Sequence, residues 1–470
     1  MYYVVCLFLC NSPGMADHFQ ADSKVQLLSE RQEKKKEGDC TVDIKEENQN
    51  QEAEKYISRV NSALTKTNPD AYKPKLISIG PYHREVTGLE MSVKQKFKES
   101  LFGKINKFEE HSTQKLKKLL DKARSCYTDD TQKMNDDDFV EMLLLDGCFI
   151  LEFLEKYSEK EVTEEFMKVK GNLVQTLIDM TLLENQIPFF VLFELFKLKR
   201  NNENKDDVLL QDLIVLVKRC IGTQVPKLTP RNIEDHDYKP DTLPKHLVEV
   251  VHNLCIPRNP KCGRHSCRND SWGITEQINT ATELEADGVE FKKVGKVYER
   301  YFGEKEGAKH FNSKDNTTMF DLEFINGTLK IPSFKIDDGT ETLLRNMIAY
   351  EQHSTEASVW FSDFASFMDQ LIEDTKDVNL LRRRGIIVNC MAQDKMVAEM
   401  FENLCQDVIN YNTFSGVIRK VNLHVDKAWN VWFGKLRHDL SYSPWKLISA
   451  VAGGLVVTVT TTAALRNILR

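Results

Sequence analysis

Residues 182–192 read Leu-Leu-Glu-Asn-Gln-Ile-Pro-Phe-Phe-Val-Leu and lie within a long apolar region, Leu173 to Phe196. A second such region, Phe139 to Leu154, precedes it. Both are apolar on nearly every face, which is typical of helices buried in the core of a large protein. Acidic residues interrupt both regions and Pro188 breaks the second, so neither predicts a membrane span. The Glu-Asn-Gln triplet before Pro188 predicts a buried polar joint between two central helices.

The sequence around these regions predicts a mainly helical body with a few short strands, an α+β fold. Amphipathic helical periodicity recurs from Leu89 onward to the C-terminal third. The run Leu76 to Ile79 predicts a short strand closed by Gly80-Pro81. Alternation from Phe320 to Ile331 around Asn326-Gly327 predicts a β-hairpin.

Length and composition favour a folded protein of one large or two ordinary domains. The chain has 470 residues, of which 41% are hydrophobic and 29% charged. Its net charge of −7 and the absence of a basic face argue against nucleic-acid binding as the main task. Eleven scattered cysteines in a chain of this size do not predict a disulfide scaffold.

Three segments follow from the distribution of polar and apolar residues. Residues 1–55 are predicted to form a disordered polar tail, because they cannot bury enough apolar surface to offset the entropy of ordering. The tail begins with an apolar run, Met1 to Cys10, which is either a signal-peptide core or an artefact upstream of a start at Met15. Residues 56–440 form the predicted globular body, and residues 444–470 a predicted membrane anchor.

The anchor prediction rests on Leu447 to Leu465, nineteen residues without a charge. As a helix this stretch is about 28 Å long, close to the hydrocarbon thickness of a bilayer. Trp445 precedes it and arginines follow it, as at a membrane interface. We therefore expect a single-pass protein of the plasma membrane or an endomembrane, whose span is supplied by Leu447, Ile448, Val451, Leu455, Val456, Val457, Val459 and Leu465. The alternative is a buried terminal helix or strand, because one Ser, four Thr and two Gly make insertion marginal.

A search for chemistry finds no common hydrolase, phosphate-binding, zinc-protease or dinucleotide motif. His83, Cys148 and Glu184 are the only catalytic candidates, and each also fits a structural role: a hydrogen-bonding anchor, an inert buried thiol and part of the polar joint. The spacing of Cys262, His265 and Cys267 matches no common zinc site, so we predict neither a metal nor a cofactor.

Ordered motifs along the body resemble a known family. They include Ser-Ile-Gly-Pro-Tyr-His at 78–83, Leu-Asp-Gly-Cys-Phe-Ile at 145–150, Leu-Leu-Glu-Asn-Gln-Ile-Pro-Phe-Phe at 182–190 and Arg-Asn-Met-Ile-Ala-Tyr-Glu-Gln at 345–352. Together they resemble the plant family called domain of unknown function 247. The motif residues whose role the resemblance leaves open are Gly80, Pro81, Tyr82, His83, Glu184, Asn185, Gln186, Pro188, Asn346, Glu351 and Gln352.

The resemblance implies a membrane-associated plant protein with one C-terminal span and no established reaction. Some members are linked to pollen–stigma self-incompatibility, which suggests recognition. We therefore expect a membrane-anchored recognition or signalling scaffold that binds an unidentified protein partner. The alternative is an unrecognised hydrolase-type enzyme that uses His83, Cys148 and Glu184.

Overall fold

A computed structural model describes residues 55–84, 88–103, 107–128, 134–159, 169–201, 205–224, 242–257, 276–295 and 318–427. The predicted tail up to residue 54, the cysteines and histidine at 262–267 and the stretch 447–465 lie outside these ranges.

The described residues are mainly helical. Their α-helices are α1 Ser62–Thr65, α2 Gly88–Phe102, α3 Phe108–Ser125, α4 Asp136–Glu159, α5 Lys170–Asp179, α6 Phe189–Arg200, α7 Asp206–Gln224, α8 Leu247–Cys255, α9 Ala281–Ala286, α10 Thr340–His353, α11 Trp360–Leu371, α12 Thr375–Arg383, α13 Asp394–Leu404 and α14 Ser415–Val425. A short 3-10 helix spans Pro69–Tyr72.

Helix α4 is the centre of the N-terminal half of the body. It packs against α2, α3, α6 and α7, and its residues 142–154 are all buried. The ring of Phe149 lies edge-on to that of Phe97 in α2, with 5.1 Å between the ring centroids. A helix that is apolar nearly all round must be surrounded by other helices, because any exposed face would leave apolar surface in water. The prediction of a core helix at 139–154 is confirmed.

The second apolar region forms two helices, as predicted. Helix α5 ends at Asp179 and α6 begins at Phe189, so residues 180–188 form the joint. Pro188 is the last residue before α6 and has a φ of −57°, which suits the residue that precedes a helix. The first N–H group of α6, that of Phe189, donates to the carbonyl oxygen of Lys245 at 2.8 Å.

The strands are short and form two small sheets. One has the order β1–β3–β2, and the other pairs β4 with β5 in parallel; the strands are β1 Glu290–Val294, β2 Glu323–Ile325, β3 Thr328–Pro332, β4 Phe334–Ile336 and β5 Ile387–Asn389. Strands β2 and β3 are antiparallel, and the turn residues Asn326 and Gly327 have φ values of 51° and 79°. Positive φ at both positions is what a tight type I′ turn requires. The predicted hairpin is confirmed.

Residues 75–80 are not a strand, which corrects the prediction made for 76–79. Their N–H groups donate instead to buried side chains. Lys75, Leu76 and Ile77 donate to the Asp179 carboxylate at 3.1, 2.7 and 3.0 Å, Ser78 to Glu90 at 2.7 Å, Ile79 to the Asn185 amide oxygen at 2.6 Å and Gly80 to Asp146 at 2.9 Å. Apolar residues such as Ile77 favour an extended chain, but side chains have replaced the neighbouring strand.

One buried lysine balances part of this negative charge. Lys94 Nζ lies 3.1 Å from Glu90 Oε1 and 2.7 Å from Asp146 Oδ1, and it also donates to the carbonyl oxygen of Ser78. Buried charges are tolerated when they are paired and fully hydrogen-bonded. Asp179 is stabilised by hydrogen bonds to N–H groups. Burial raises the pKa of its carboxyl group, although the hydrogen bonds that it accepts from these N–H groups oppose this rise.

The predicted transmembrane helix needs correction. No helix among the described residues is both long enough and apolar enough to cross a bilayer. Even α4, the longest of them, carries the buried acidic residues Asp146 and Glu152. For the part of the chain that the structure describes, the fold with a membrane-spanning helix and the single-pass membrane location are therefore wrong. The anchor predicted from Leu447 to Leu465 lies outside the described residues.

Gly80 offers a test of the segment 75–80. Its φ is 74°, and a Cβ atom at this position would collide with the backbone carbonyl of Gln186. We expect Gly80→Ala to lower the free energy of unfolding by about 3 kcal/mol or more, because a left-handed backbone and a backbone clash both oppose it. Urea denaturation measures this change.

The matched control is Gly171→Ala in α5, where an added Cβ meets open space. In that helix alanine is expected to change the free energy of unfolding by no more than about 1 kcal/mol, in the stabilising direction. Equal urea midpoints for the two variants would contradict the account of residues 75–80.

Candidate functional site

His83 and Glu184 are brought together, as two of the three catalytic candidates. His83 Nε2 lies 2.8 Å from Glu184 Oε2, while Glu184 Oε1 accepts the N–H of Val60 at 2.8 Å. Arg59 NH1 lies 3.7 Å from the same carboxylate. Burial alone would raise the pKa of Glu184, but these hydrogen bonds and the charges of His83 and Arg59 hold it below its ordinary value. The carboxylate is thus an ionised anchor for the chain at residue 60.

Cys148 does not join this pair. It lies in the middle of α4 with none of its surface exposed, and no hydrogen bond or ion pair of the described residues links it to His83 or Glu184. Burial raises the pKa of its thiol to about 12, even though Lys98 and Lys199 lower it. A thiol with such a pKa is a poor nucleophile at neutral pH. The three candidates therefore do not converge on one reacting centre.

The other residues of the Glu-Asn-Gln triplet also bind backbone. Asn185 donates to the carbonyl oxygens of Ile77 at 3.0 Å and Asp179 at 2.8 Å. Gln186 donates to the carbonyl oxygens of Met180 and Leu182 and accepts the N–H of Leu247 at 3.1 Å. The predicted polar joint is thus confirmed.

Tyr82 closes the same region from the outside. Its hydroxyl donates to the carbonyl oxygen of Ile57 at 2.9 Å, and its ring lies edge-on to Tyr127 with 5.7 Å between the centroids. The guanidinium of Arg59 lies 4.9 Å from the centre of the Tyr82 ring. Gly80 and Pro81 belong to the turn that precedes Tyr82, where the chain leaves the core.

The motif of α10 has a similar role. Asn346 accepts the N–H of Leu183 at 2.9 Å and donates to the carbonyl oxygen of Ala71 at 2.9 Å. Glu351 accepts the N–H groups of Phe361 and Ser362 at 2.8 and 2.7 Å, and it lies 2.8 Å from His252 Nε2. Since these partners lie elsewhere in the chain, the motif residues act as cross-links between separate segments.

Gln352, the last of these motif residues, holds a loop that the sequence did not mark as functional. Residues 407–413, here called the 407–413 loop, connect α13 to α14. Gln352 accepts the N–H of Ile409 at 3.1 Å and donates to its carbonyl oxygen at 2.8 Å. These two hydrogen bonds hold the loop at Ile409 through both polar groups of that residue's backbone, the N–H and the carbonyl oxygen.

Asp363 of α11 holds the rest of the loop. Its carboxylate accepts the N–H groups of Tyr411 at 2.7 Å, Asn412 at 3.1 Å and Thr413 at 2.7 Å, and also the Thr413 hydroxyl. Burial raises the pKa of Asp363, and the bonds from the loop oppose this rise. A signal was present in the sequence: Asp363 lies three residues after Trp360 and four before Phe367, on the buried face of an apolar helix, where an acid needs donors.

Two large apolar side chains project from this fixed loop. Ile409 is 64% exposed and Tyr411 is 61% exposed. Single exposed apolar residues are common on protein surfaces. These two differ because side chains of the body bind the backbone of each, the half-buried Gln352 at Ile409 and the buried Asp363 at Tyr411, so both are held in place in water.

A cavity lies beside the loop. It has a volume of about 270 Å³, and Asn410 and Asn412 of the loop form part of its wall. Glu276, Asp363 and Asp369 also line it, and none of its described lining residues is basic. Burial, and then the charge of Glu402, raise the pKa of Asp369 to about 6, while a hydrogen bond with Cys405 opposes the rise. The cavity thus combines an acidic character with proximity to the exposed loop.

The zinc candidates Cys262, His265 and Cys267 lie outside the described residues. Within the described ranges, no group of three or more His, Cys, Asp or Glu side chains is arranged to hold a metal ion.

The comparisons agree with the motifs. The model of domain of unknown function 247, a plant protein family of unknown function, matches residues 57–459. The chain belongs to this family. It is also similar to two proteins of Arabidopsis thaliana: UPF0481 protein At3g47200, with 27% identity over 86% of this chain and 84% of that protein, and UPF0481 protein At3g02645, with 26% identity over 88% and 90%. No solved structure matches the chain.

Family membership confirms the resemblance drawn from the motifs and makes this a plant protein. The names of the family and of both relatives identify no reaction, ligand or partner. The roles of the family motifs described above therefore come from their contacts in this chain.

Thiol labelling tests the enzyme alternative. At the pKa of about 12 that burial gives the Cys148 thiol, roughly one molecule in 10⁵ is ionised at pH 7. We expect iodoacetamide to alkylate the exposed Cys390 at least about a hundredfold faster than Cys148 in the native protein. Peptide mapping by mass spectrometry distinguishes the two, and selective labelling of Cys148 would favour the enzyme.

Hydrogen exchange tests the role of Asp363. Asp363→Asn replaces one acceptor oxygen by an NH₂ group that faces the donors of the loop. We expect the amides of Tyr411, Asn412 and Thr413 to exchange about 30-fold faster or more, which corresponds to about 2 kcal/mol of lost protection.

Asp407→Asn is the matched control, because Asp407 lies in the same loop and its carboxylate forms an exposed ion pair with Lys66 at 3.5 Å. Surface pairs of this kind contribute little to stability, so this variant should leave the exchange of the three amides unchanged. Equal exchange in wild type and Asp363→Asn would contradict the assigned role.

Proposed function

We propose that this plant protein is a recognition scaffold that binds another protein through the 407–413 loop. The observation that carries the proposal is the combination of exposed Ile409 and Tyr411 with a backbone that Gln352 and Asp363 hold in place. Tyrosine is enriched at protein interfaces, where an apolar ring with a polar end contributes to binding.

The energetics of ordering support this proposal. Fixing one residue of a loop costs roughly 1–2 kcal/mol of conformational entropy. Here the fold meets that cost before any partner arrives, through hydrogen bonds to a buried carboxylate and a side-chain amide. A loop that is already ordered loses less entropy on association and so binds more tightly for the same contacts.

The resemblance adds support of a different kind. Some members of the family are linked to pollen–stigma self-incompatibility, which is a recognition process, but the match and the two relatives do not assign that process to this chain. The catalytic alternative has no comparable support, because Cys148 is buried away from the His83–Glu184 pair.

Site-specific photocrosslinking in plant cells tests the proposal. A benzoylphenylalanine placed at Tyr411 should form a discrete adduct with one protein, because this side chain is expected to contact the partner. Adding Ile409→Asp should reduce the yield of that adduct at least about fivefold, since a charge at the contact would have to be desolvated.

Leu423 of α14 provides the control position, because it is also large, apolar and 59% exposed but no comparable clamp holds it in a loop. Adducts that form equally from positions 411 and 423, or that are insensitive to Ile409→Asp, would contradict the proposal. So would the absence of any adduct from position 411 in cells that contain the full chain.

A further inference from the structure

The cavity beside the 407–413 loop has the chemistry of a cation site. Three acidic side chains line it, and Asp363 is already occupied by the loop. Asp369 and Glu276 remain to interact with a ligand. The Oε2 atom of Glu276 is buried and has no hydrogen-bond partner among the described residues. Because an unpaired buried carboxylate oxygen is costly, this atom points to a donor that is supplied from outside the described chain.

The size of the cavity and the apolar part of its lining restrict the kinds of ligand that can bind there. A volume of about 270 Å³ far exceeds the roughly 10–15 Å³ that one water requires on this measure. Phe367, Phe414 and Ile418 line the cavity together with the acids. A basic side chain has the same division, because it buries an apolar stem while its charged end seeks polar partners.

Arginine fits this lining better than lysine. Its planar guanidinium offers five N–H donors and stacks on aromatic rings, while lysine offers three donors on a compact ammonium group. The carboxylates of Asp369 and Glu276, the side-chain amide of Asn410 and the rings of Phe367 and Phe414 lie in this lining and can supply these partners, while the amide oxygen of Gln370 already accepts the N–H of Ile278 at 3.1 Å.

We propose that this cavity binds an arginine side chain of the protein that contacts the 407–413 loop, with Asp369 and Glu276 as the counter-charges. This inference rests on the proposed function for the identity of the occupant. Because Asn410 and Asn412 belong to both the loop and the cavity wall, a partner that contacts Ile409 and Tyr411 would lie next to the cavity.

Binding should depend on pH through Asp369. The groups around it are Glu402 of α13, Cys405 directly after α13, Asp363 on its own helix and Glu276 in the same cavity wall, while Arg345 acts on Cys405. Burial and Glu402 raise the pKa of Asp369 to about 6. A cation binds to the ionised carboxylate. The affinity is therefore highest above pH 6, where Asp369 is ionised, and it falls as the pH decreases through about 6.

The test uses Nα-acetyl-arginine methylamide as the probe, titrated into the full chain at pH 7.5 and pH 5 and followed by NMR. We expect saturable binding at millimolar concentration that weakens at least about fivefold at pH 5. Asp369→Asn and Glu276→Gln should each weaken binding at pH 7.5 by a similar factor. Nα-acetyl-norleucine methylamide, which has an apolar chain and no charge, should bind at least about fivefold less tightly.

Glu399→Gln is the matched control. Glu399 lies on α13, pairs with Lys395 at 2.8 Å and does not line the cavity. The substitution therefore removes the same charge as the test variants do, but away from the cavity. The affinity of this variant for the probe should equal that of the wild type. Urea unfolding of each variant confirms that the folded protein is being compared. Equal affinity for the two probes, no saturable binding, or unchanged affinity in a folded Asp369→Asn variant would overturn the arginine site.

The same variants separate this inference from the proposed function. In the crosslinking experiment, Asp369→Asn should lower the yield of the adduct from position 411. An unchanged adduct would overturn the arginine site while the loop contact stands. Probe binding that depends on Asp369, together with no adduct at position 411, would instead support the cavity as a cation site and contradict the contact made by the loop.

Discussion

A buried N–H group must find an acceptor, and this constraint shapes the middle of the molecule. Residues 75–80 have buried apolar side chains such as Ile77 and Ile79 but no neighbouring strand. Their donors are met by Glu90 of α2, Asp146 of α4, Asp179 of α5 and Asn185 of the joint before α6. Because these acceptors belong to different elements, a six-residue segment is bonded to side chains that lie up to 108 positions away from it in the chain. Backbone satisfaction thus organises the tertiary structure as well as local geometry.

The same constraint accounts for most of the family motifs. Glu184, Asn185 and Asn346 each bind backbone atoms of a distant segment, and Glu351 binds the first turn of the next helix, so their hydrogen-bonding groups are already engaged. Catalytic groups have to exchange partners with a substrate during a reaction. Side chains that hold the fold together in this way are poorly suited to that task, because a loss of their bonds leaves buried donors unpaired. A motif with several acids, amides and a histidine is therefore as consistent with a structural role as with a catalytic one.

The sequence predicted those features that depend on local periodicity or on one turn. The core helix at 139–154, the joint before Pro188 and the hairpin at Asn326-Gly327 are such features. It did not predict that residues 76–79 lack a strand partner, because an apolar extended pattern says nothing about what supplies the acceptors. Family membership was readable from ordered motifs, but their roles required contacts across the chain.

The candidate site was harder to foresee for the same reason. Asp363 precedes the loop that it holds by 48 to 50 positions, and no periodicity connects them. The membrane prediction shows the opposite weakness, because hydropathy describes a segment without its surroundings. For the apolar helix α4 the interrupting acids Asp146 and Glu152 supplied that information, and it is a core element as predicted, whereas the run 447–465 that carried the membrane prediction has no such residue.

The contrast between the two sets of side-chain hydrogen bonds to backbone, those on residues 75–80 and those on the 407–413 loop, is the basis of the proposed function. The side-chain hydrogen bonds to residues 75–80 hold a segment whose apolar side chains are buried, so the packing of the core explains them. The hydrogen bonds to the 407–413 loop have the opposite result, since they leave Ile409 and Tyr411 in water. Ordering this loop costs entropy, and most of the surface of Ile409 and Tyr411 is not buried within the chain in return. Burial against a partner would recover part of that cost, and under the proposed arginine site the acidic cavity, which shares the loop's asparagines, would give such a partner a charged contact beside the apolar one.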